Sequence, residues 1–218
     1  MARPPAVVDP PGLPEPAEVG PFLARLVRLD PAALVRLRPS GPGRVTAWAP
    51  VPWRVMVCRT VPAQSTVDMT LSAGQLLEHL TAGRPGLPER RDAQWRWPLP
   101  ASSGEPVESV PAAELVRLGA AAATTMHSGV GRVGAGRVGE RMLRDAILDH
   151  VAIEVQAGDI RVEVRQGLVQ ALLRMGFVTE GVQGPVTVRT LSDWVGLEAG
   201  AGQVWVQKRA TFAISLLR

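Results

Sequence analysis

The chain is poor in several residue types, and each shortage limits what the protein can be. Among 218 residues there are one cysteine and no tyrosine, and Lys208 is the only lysine beside 23 arginines. A single thiol excludes an internal disulfide, so nothing in the sequence requires an oxidising compartment. No run of about 18 apolar residues occurs, so no membrane span is expected. We therefore expect a cytoplasmic protein that makes no contact with a membrane.

The sequence also lacks the spacing patterns of common catalytic and metal sites. Its three histidines are scattered, and no H-E-x-x-H, paired-cysteine or G-x-S-x-G pattern is present. We therefore predict no catalytic residue, no metal site and no cofactor. An enzyme is the less favoured interpretation.

The first of two predicted hairpins lies in residues 151–165. Apolar and polar residues alternate there on both sides of an Ala-Gly pair, which is typical of a β-hairpin. If the chain turns at that pair, Val155 lies opposite Ile160 and Glu154 opposite Arg161. One face is then apolar and the other charged, which favours a single register.

The second predicted hairpin lies closer to the end of the chain and turns at a glycine-rich stretch. The alternation places Gly196 opposite Trp205, and Asp193 opposite Lys208. A glycine opposite a large aromatic residue leaves room for the ring to lie across the strand. The apolar residues of 212–216 alternate again and predict a last strand.

Between these hairpins the apolar spacing becomes helical over 166–175, and Gly176 is placed to end that helix in a left-handed cap. Together these patterns predict an α+β fold in which an antiparallel sheet built from hairpins packs against helices. Four regions follow: a proline-rich tail in 1–16, an N-terminal subdomain in 17–82, a connection rich in proline and tryptophan in 83–110, and a C-terminal subdomain in 111–218.

A weak internal repeat suggests that the two halves are related. The segment Pro31-Ala-Ala-Leu-Val-Arg-Leu37 resembles Pro111-Ala-Ala-Glu-Leu-Val-Arg-Leu118. Asp30 before the first copy fits a helix N-cap, so that copy is predicted to be a short helix. Chance similarity in a chain rich in alanine, proline, leucine and arginine is the alternative, and we favour it.

The basic charge is concentrated near the start of the chain. Residues 1–100 carry 12 basic and 8 acidic side chains, whereas 101–218 carry 12 of each. The candidate interaction surface within this excess comprises Arg25, Arg28, Arg36 and Arg38. Such a surface would suit a polyanion or a protein partner. The alternative is an ordinary solvated surface whose basic residues are arginines because the coding sequence is rich in GC, as in many bacterial-type sequences.

Trp95 and Trp97 lie among basic residues in the connection between the halves. Rings at positions i and i+2 of an extended segment share a face. They could stack on a base or a peptide, or pack on the core and hold the connection in place. Packing is the favoured interpretation, but both residues stay on the candidate interaction surface.

A glycine- and arginine-rich loop in 129–139 is the best candidate for an enzyme site. Gly134 and Gly136 would let backbone N–H groups approach a phosphate, and Arg132 and Arg137 would add bidentate contacts. With a downstream segment ending in Gly-Phe, the loop resembles the acyl-CoA-dependent N-acyltransferase superfamily. That resemblance implies a pyrophosphate-binding loop. Three departures are visible: a helix rather than a strand is predicted before the loop, the family's spacing of arginine or glutamine and the glycines is matched from neither arginine, and a hairpin follows the loop.

The leading functional hypothesis is a non-catalytic interaction or regulatory module that binds a protein partner or a second copy of itself. It would use the tryptophan loop, exposed sheet edges and the arginine surface. The first alternative is a phosphate- or acyl-CoA-binding enzyme built on the glycine loop. The second is a nucleic-acid-binding protein that uses the arginine surface.

Overall fold

The computed structural model describes residues 14–63, 67–84, 86–130, 137–158, 160–179, 181 and 184–208. The helices are α1 Pro16–Leu29, α2 Ala73–Thr81, α3 Ala112–Val130, α4 Arg137–Asp149 and α5 Gln166–Arg174. The strands are β1 Leu34–Pro39, β2 Arg44–Val51, β3 Val55–Pro62, β4 Met69–Ser72, β5 Glu105–Pro111, β6 Val151–Ala157, β7 Ile160–Arg165, β8 Pro185–Leu191, β9 Trp194–Ala199 and β10 Gly202–Gln207. Over these ranges the predicted α+β class with an antiparallel sheet is confirmed.

Eight strands form one antiparallel sheet in the order β4-β1-β2-β3-β10-β9-β8-β5, and β6 and β7 form a separate pair. The order is symmetric about its centre. Each half contains a helix followed by a three-stranded meander, α1 before β1-β2-β3 and α5 before β8-β9-β10. Each half also places a fourth strand, β4 or β5, beside the first strand of its meander. The third strands, β3 and β10, pair with each other and join the halves.

The two halves are therefore related in topology, but the repeat seen in the sequence does not mark equivalent positions. Residues 34–37 of the first copy lie in β1, whereas residues 112–118 of the second copy begin α3. The helix predicted for the first copy is wrong. Val35 and Leu37 are buried on one face, and β1 is held between β2 and β4, so tertiary pairing outweighs the N-cap signal of Asp30.

One face of the large sheet, the helix face, packs against the helices. Val57 of β3, Val204 of β10, Leu23 of α1 and Leu172 of α5 belong to one continuous buried cluster. Phe22 and Phe177 stack with their ring centroids 6.3 Å apart. This face supplies most of the apolar burial and so most of the hydrophobic stabilisation.

The opposite face is crossed by residues 86–104, which we name the strap. It begins beside β4, where the Arg91 amide donates to the Thr70 carbonyl at 2.7 Å, and the Thr70 amide donates to the Asp92 carboxylate at 2.6 Å. It ends at β5, on the other edge of the sheet. Residues 92–94 form a short 3-10 helix, and the ten residues 95–104 that follow bring the reach of the segment to at most ~39 Å, enough to cross the ~34 Å width of eight strands. The connection predicted over 83–110 is therefore irregular only in part, because its last residues belong to the strand β5.

Under the strap lies a small second cluster that includes Met56, Cys58, Trp95 and Trp205. The strap is fixed at its far end by Arg189, whose guanidinium donates to the Gly104 carbonyl at 2.9 Å and to Glu198 at 2.6 Å. Burial raises the pKa of the Cys58 thiol. The strap face is therefore covered by a segment that is neither helix nor sheet and is held by polar contacts as well as apolar ones.

The two predicted hairpins have different outcomes. In β9–β10 Gly196 lies opposite Trp205, and the Lys208 amide donates to the Asp193 carbonyl, so this register is confirmed. In β6–β7 Val155 pairs with Val162 instead of Ile160, because the turn is one residue later, with Gly158 at φ +59°. The shift of two residues keeps Ile153 and Val155 opposite the apolar residues Val164 and Val162, whereas an irregularity between Val151 and Ile153 places Val151 opposite Arg165.

Helix α5 ends at Gly176 with φ +65°, as its left-handed cap requires, and this prediction is confirmed. None of the helices in the described ranges has the length and hydropathy of a membrane span. The strand predicted over 212–216 lies outside the described residues.

Candidate functional site

A cleft of about 760 Å³ lies at the junction between the two halves of the sheet. It is bounded by the β2–β3 connection, the strap, the ends of β9 and β10, and the helices α4 and α5. Three tryptophans from three separate elements line it, Trp53, Trp97 and Trp194. Aromatic residues in such a concave site supply large apolar contact area at low conformational cost.

The cleft exists because β3 and β10 stop pairing before β10 ends. Only Gln203, Val204 and Trp205 of β10 pair with β3, whereas Val206 and Gln207 pair with β9 alone. Among the described residues, no strand pairs with Val206 and Gln207 on the side of β10 that faces away from β9. They line the cleft, which therefore offers a short stretch of sheet edge as well as aromatic rings.

The β2–β3 connection makes this opening through an unusual backbone turn. Trp53 and Arg54 both have φ of +64°, in the left-handed region that side chains rarely adopt. The indole N–H of Trp53 donates to the Gly167 carbonyl of α5 at 3.1 Å. A Cβ at Gly167 would lie 3.3 Å from both the Trp53 ring and the Leu148 carbonyl, so glycine allows this close approach. The contact compensates for the strain of the turn.

The strap brings Trp97 to the cleft. The indole N–H of Trp95 donates to the Trp97 carbonyl at 2.6 Å, and the two rings meet edge to face with centroids 5.4 Å apart. Trp95 is 9% exposed, whereas Trp97 is 40% exposed. Trp95 thus anchors the strap in the core and sets the position of Trp97, so one of the two rings has the favoured packing role and the other faces the cleft.

Charged side chains also line the cleft. Arg54 comes from the left-handed turn, and the Lys208 ammonium donates to the Ser192 carbonyl at 2.7 Å. Arg165 donates to the Asp149 carbonyl at 3.3 Å. Asp145 lies on the α4 wall. Protein-binding sites usually combine apolar and polar side chains in this way.

The structure does not bring the four predicted arginines together. Arg25 and Arg28 lie on α1, which covers the helix face, whereas Arg36 and Arg38 lie in β1 and point to the strap face. The continuous arginine surface is therefore corrected to two separate pairs. Their use in binding stays a prediction.

The pair on the strap face is already engaged within the chain. Arg36 makes two bonds to Asp68, at 2.7 and 2.9 Å, and Arg38 lies 3.2 Å from the same carboxylate. The Arg36 guanidinium also lies 5.7 Å from the Trp95 ring centroid. The hydrogen bond to Asp68 raises the pKa of Arg36. Of the two arginines, Arg36 contacts the strap, through the Trp95 ring.

The glycine loop is flanked by helices, α3 before it and α4 after it. The preceding strand that an N-acyltransferase-like loop requires is therefore missing. Arg132, Gly134 and Gly136 lie outside the described residues, as does the side chain of Arg137, so their use as a phosphate site stays a prediction. In the described part of the chain, no group of three or more histidine, cysteine, aspartate or glutamate side chains could hold a metal ion.

Sequence reasoning missed the cleft because its walls are far apart in the chain. Trp53 and Trp194 carry no local sequence signal of a binding role, and the turn at Pro52–Arg54 contains no glycine. Trp97 is part of the candidate interaction surface predicted from the sequence, and it is the one of the three cleft tryptophans to which the sequence pointed.

Two family models match the chain, and both describe domains of unknown function. The model for DUF8010 matches residues 8–97, and the model for DUF8185 matches residues 99–211. The boundary between them lies inside the strap. A search among curated proteins finds no match.

Solved structures with the same fold are bacterial DNA polymerase III beta subunits. The DnaN sliding clamp from Bartonella birtlesii bound to griselimycin is 10% identical with a TM-score of 0.54, and the match covers 90% of this chain and 64% of that one. The beta subunit from Pseudomonas aeruginosa is 12% identical, also with a TM-score of 0.54, and the coverages are 90% and 63%. The beta subunit from Streptococcus pyogenes is 10% identical with a TM-score of 0.52 and the same coverages, 90% and 63%.

These similarities establish a sliding-clamp-like α+β fold and no more. The chain spans a little under two thirds of the length of each clamp that it matches. Function has to be argued from the cleft itself, because one fold supports many functions.

Proposed function

The chain belongs to the DUF8185 family, and we propose that it is a non-catalytic protein-interaction module whose tryptophan-lined cleft binds a short extended segment of a partner protein. One observation carries the proposal. Trp53, Trp97 and Trp194 converge from three elements on a single cleft that is also lined by charged side chains. Tryptophan is among the residues most enriched where binding energy is concentrated.

The open edge of β10 supports an extended ligand. Val206 and Gln207 present backbone groups on the side that β3 leaves uncovered. A peptide strand placed there would gain main-chain hydrogen bonds from the edge and would put alternate side chains among the rings. The volume of about 760 Å³ accommodates several apolar side chains but not a folded domain.

The outer edges of the sheet are less suitable for a partner strand. β5 carries Pro106 and Pro111 and has a register irregularity at Pro106/Glu108, which are features that discourage strand addition. At the β4 edge, Thr70 already pairs with the strap. The cleft is therefore the better-formed docking place among the sheet edges in the described ranges.

The fold similarity adds a second line of support. The matched proteins are subunits of a DNA polymerase, and such subunits act in an assembly with other proteins. We carry over to this chain the general property of having protein partners. An association with a second copy of the chain belongs to the same proposal.

Nucleic-acid binding through the helix layer receives little support from charge. Helices α1, α2, α3 and α5 carry four arginines and three glutamates in total. A surface that neutralises several phosphates needs a clear excess of basic side chains. We therefore place the protein partner ahead of the polyanion.

The proposal can be tested by selecting binders from a displayed library of random ten-residue peptides on the full chain. Peptides rich in apolar and aromatic residues should be enriched. Their affinity should fall at least about tenfold on Trp97→Ala or Trp194→Ala, because loss of a central aromatic contact is worth more than about 1.4 kcal/mol.

Trp48→Ala is the matched control. Trp48 is also half-buried and belongs to the strap-face cluster, but it does not line the cleft. Its substitution should leave the selected peptides bound with unchanged affinity. If the three variants bind the peptides equally, or if no peptide is enriched, the proposed function is wrong.

A further inference from the structure

We infer that the partner segment carries an acidic side chain among its apolar residues, and that Arg54 and Lys208 bind this carboxylate where β3 and β10 separate. The inference rests on the proposed function, because it specifies the chemistry of the ligand of the same cleft. It commits to an aspartate or glutamate within the segment, and not to the carboxylate that ends a peptide chain.

The place of the two cations is the first argument. β10 pairs with β3 as far as Trp205, which lies opposite Met56. Continued by two residues, that register would set Gln207 opposite Arg54, but β3 and β10 no longer pair there. Arg54 directly precedes β3, Lys208 directly follows β10, and both line the cleft. The two cations therefore flank the gap, and a segment that lies along the open edge of β10 passes beside both.

Both cations keep hydrogen-bond donors for a ligand. Lys208 uses one of the three N–H groups of its ammonium on a neutral acceptor, the Ser192 carbonyl. Arg54 is exposed, and neither cation forms an ion pair with a carboxylate of the described residues. This includes Asp193, although its carbonyl accepts the hydrogen bond of the Lys208 amide.

The acidic residues of the cleft do not neutralise these cations. Asp145 and Asp149 line the cleft from α4. Asp145 lies 3.5 Å from Arg144 of the same helix, and Asp149 is engaged by an interaction within the chain. Both carboxylates therefore have other partners, and the positive charge at the sheet edge is left for the ligand.

The charge of the lining gives the sign of the ligand. Three basic residues line the cleft, Arg54, Arg165 and Lys208, against two acidic ones. Arg165 is held beside α5 by the Asp149 carbonyl and lies 3.9 Å from Glu163, so the uncompensated cations are the two at the sheet edge. An acidic side chain complements them, because opposite charges across an interface favour the right partner and suppress partners of the wrong sign.

The tryptophans next to the cations explain why the acidic residue should have large apolar neighbours. An exposed ion pair alone contributes little to binding. Trp53 directly precedes Arg54, and Trp194 pairs with Gln207. A segment seated on these rings covers the ion pair, and a charge interaction is stronger where water is excluded. The expected ligand is an acidic residue with large apolar residues one or two positions away.

Selection of displayed ten-residue peptides on the full chain tests the inference, with the library fused through its C-terminus so that no terminal carboxylate is free. Aspartate and glutamate should be enriched beside the apolar positions. Selection repeated on a variant that combines Arg54→Glu with Lys208→Glu should enrich lysine and arginine there instead. An enrichment that this reversal leaves unchanged overturns the inference, as does an enrichment of basic residues on the parent chain.

Single substitutions make the test quantitative. For a selected peptide made with an amidated C-terminus, Arg54→Gln and Lys208→Gln should each lower the affinity about fivefold, as expected for the loss of one partly exposed charge pair. Arg59→Gln is the matched control, because Arg59 lies in β3 but does not line the cleft, and it should leave the affinity unchanged. Replacing the acidic residue of the peptide by its amide should remove the difference between the parent and Arg54→Gln.

Thermal unfolding of each variant checks that the fold is retained, since Arg54 lies in the left-handed turn. If Arg54→Gln does not fold, Lys208→Gln decides the question from the other strand. An affinity that Lys208→Gln leaves unchanged then overturns the inference.

The outcomes separate this inference from the proposed function. Peptides whose affinity depends on Trp97 and Trp194 but on neither cation overturn the inference and leave the function intact. Affinity that requires a free C-terminus also overturns it, because the bound carboxylate is then terminal. Acidic peptides whose affinity depends on both cations but on neither tryptophan support the inference and contradict the proposed function.

Discussion

The two faces of the eight-stranded sheet are built by different rules. The helix face is covered by regular elements and buries a continuous set of aliphatic side chains. The strap face is covered by one irregular segment and combines tryptophans with ion pairs such as Arg189–Glu198. The cleft opens where the strap, with Trp97, meets the helices α4 and α5.

The difference follows from how the covering elements are held. Helices present apolar stripes of fixed geometry, so a change in one side chain is felt throughout the packed layer. The strap is fixed at a few points, Thr70 at one edge, Trp95 in the middle and Gly104 at the other edge. These few contacts are enough for the strap to place Trp97 at the cleft, although the strap around Trp97 is neither helix nor strand.

The largest effect is expected on the helix face. Leu172 is 0% exposed in α5, at the centre of the aliphatic layer. Leu172→Ala should lower the free energy of unfolding by about 2–5 kcal/mol, because it removes buried methyl groups and leaves a cavity. Urea denaturation measures this loss. Met142→Ala on α4, where Met142 is 68% exposed, should change it by less than about 0.5 kcal/mol.

An intermediate effect is expected on the strap face, from an added side chain. A Cβ at Gly196 would lie 2.6 Å from the Trp205 ring, which is itself buried. Gly196→Val should therefore destabilise the protein by about 1–3 kcal/mol through overpacking. Adding Trp205→Leu should recover part of the loss, and a double-mutant cycle measures that coupling.

Gly200 provides the comparison within the same hairpin, since nothing lies within 4 Å of its added Cβ. Gly200→Ala should leave the denaturation midpoint almost unchanged. If it destabilised the protein as much as Gly196→Val, the effect at position 196 would come from the backbone and not from the Trp205 ring.

The smallest effect is a pH dependence at the start of the strap. Burial alone would raise the pKa of Asp92, but hydrogen bonds from the Arg90 side chain and the Thr70 amide outweigh it and lower the pKa. A carboxyl whose pKa is lower in the folded state stabilises the fold above its unfolded pKa. That contribution is lost as the pH falls below about 4.

Asp92→Asn should therefore make the unfolding free energy slightly less dependent on pH in that acid range. The effect will be small because the side chain is half-exposed to solvent. Thermal unfolding of both proteins across the acid range measures it. An Asn variant with the same acid dependence as the parent would show that Asp92 does not contribute.

Local patterns predicted the elements that depend on local chemistry. The β9–β10 register followed from Gly196 and Trp205, and the end of α5 from Gly176. The β6–β7 register was wrong by two residues because both turns keep the same faces, so alternation alone could not choose between them. Asp30-Pro31 favours a helix locally, and only the pairing of β1 with two other strands overrides it.

The candidate site was less accessible to sequence reasoning than the fold. Trp53 lies 114 residues from Gly167, whose carbonyl accepts its indole hydrogen bond. The left-handed turn at Trp53 and Arg54 has no glycine or asparagine to mark it. A cleft made by the early loss of pairing between β3 and β10 depends on the whole sheet order, which no local pattern contains.

The strap is also the covalent link between two halves that otherwise meet through β3 and β10 and through the stacking of Phe22 on Phe177. A protease cut in its exposed stretch near Arg96 would interrupt the chain without removing any strand of the sheet. One fragment would carry α1, α2 and a meander, the other α3, α4, α5 and a meander, and each would have one free central strand edge that the other fragment fits. Co-expressed as separate polypeptides, they are expected to reassemble through that edge, which makes this fold a natural split protein.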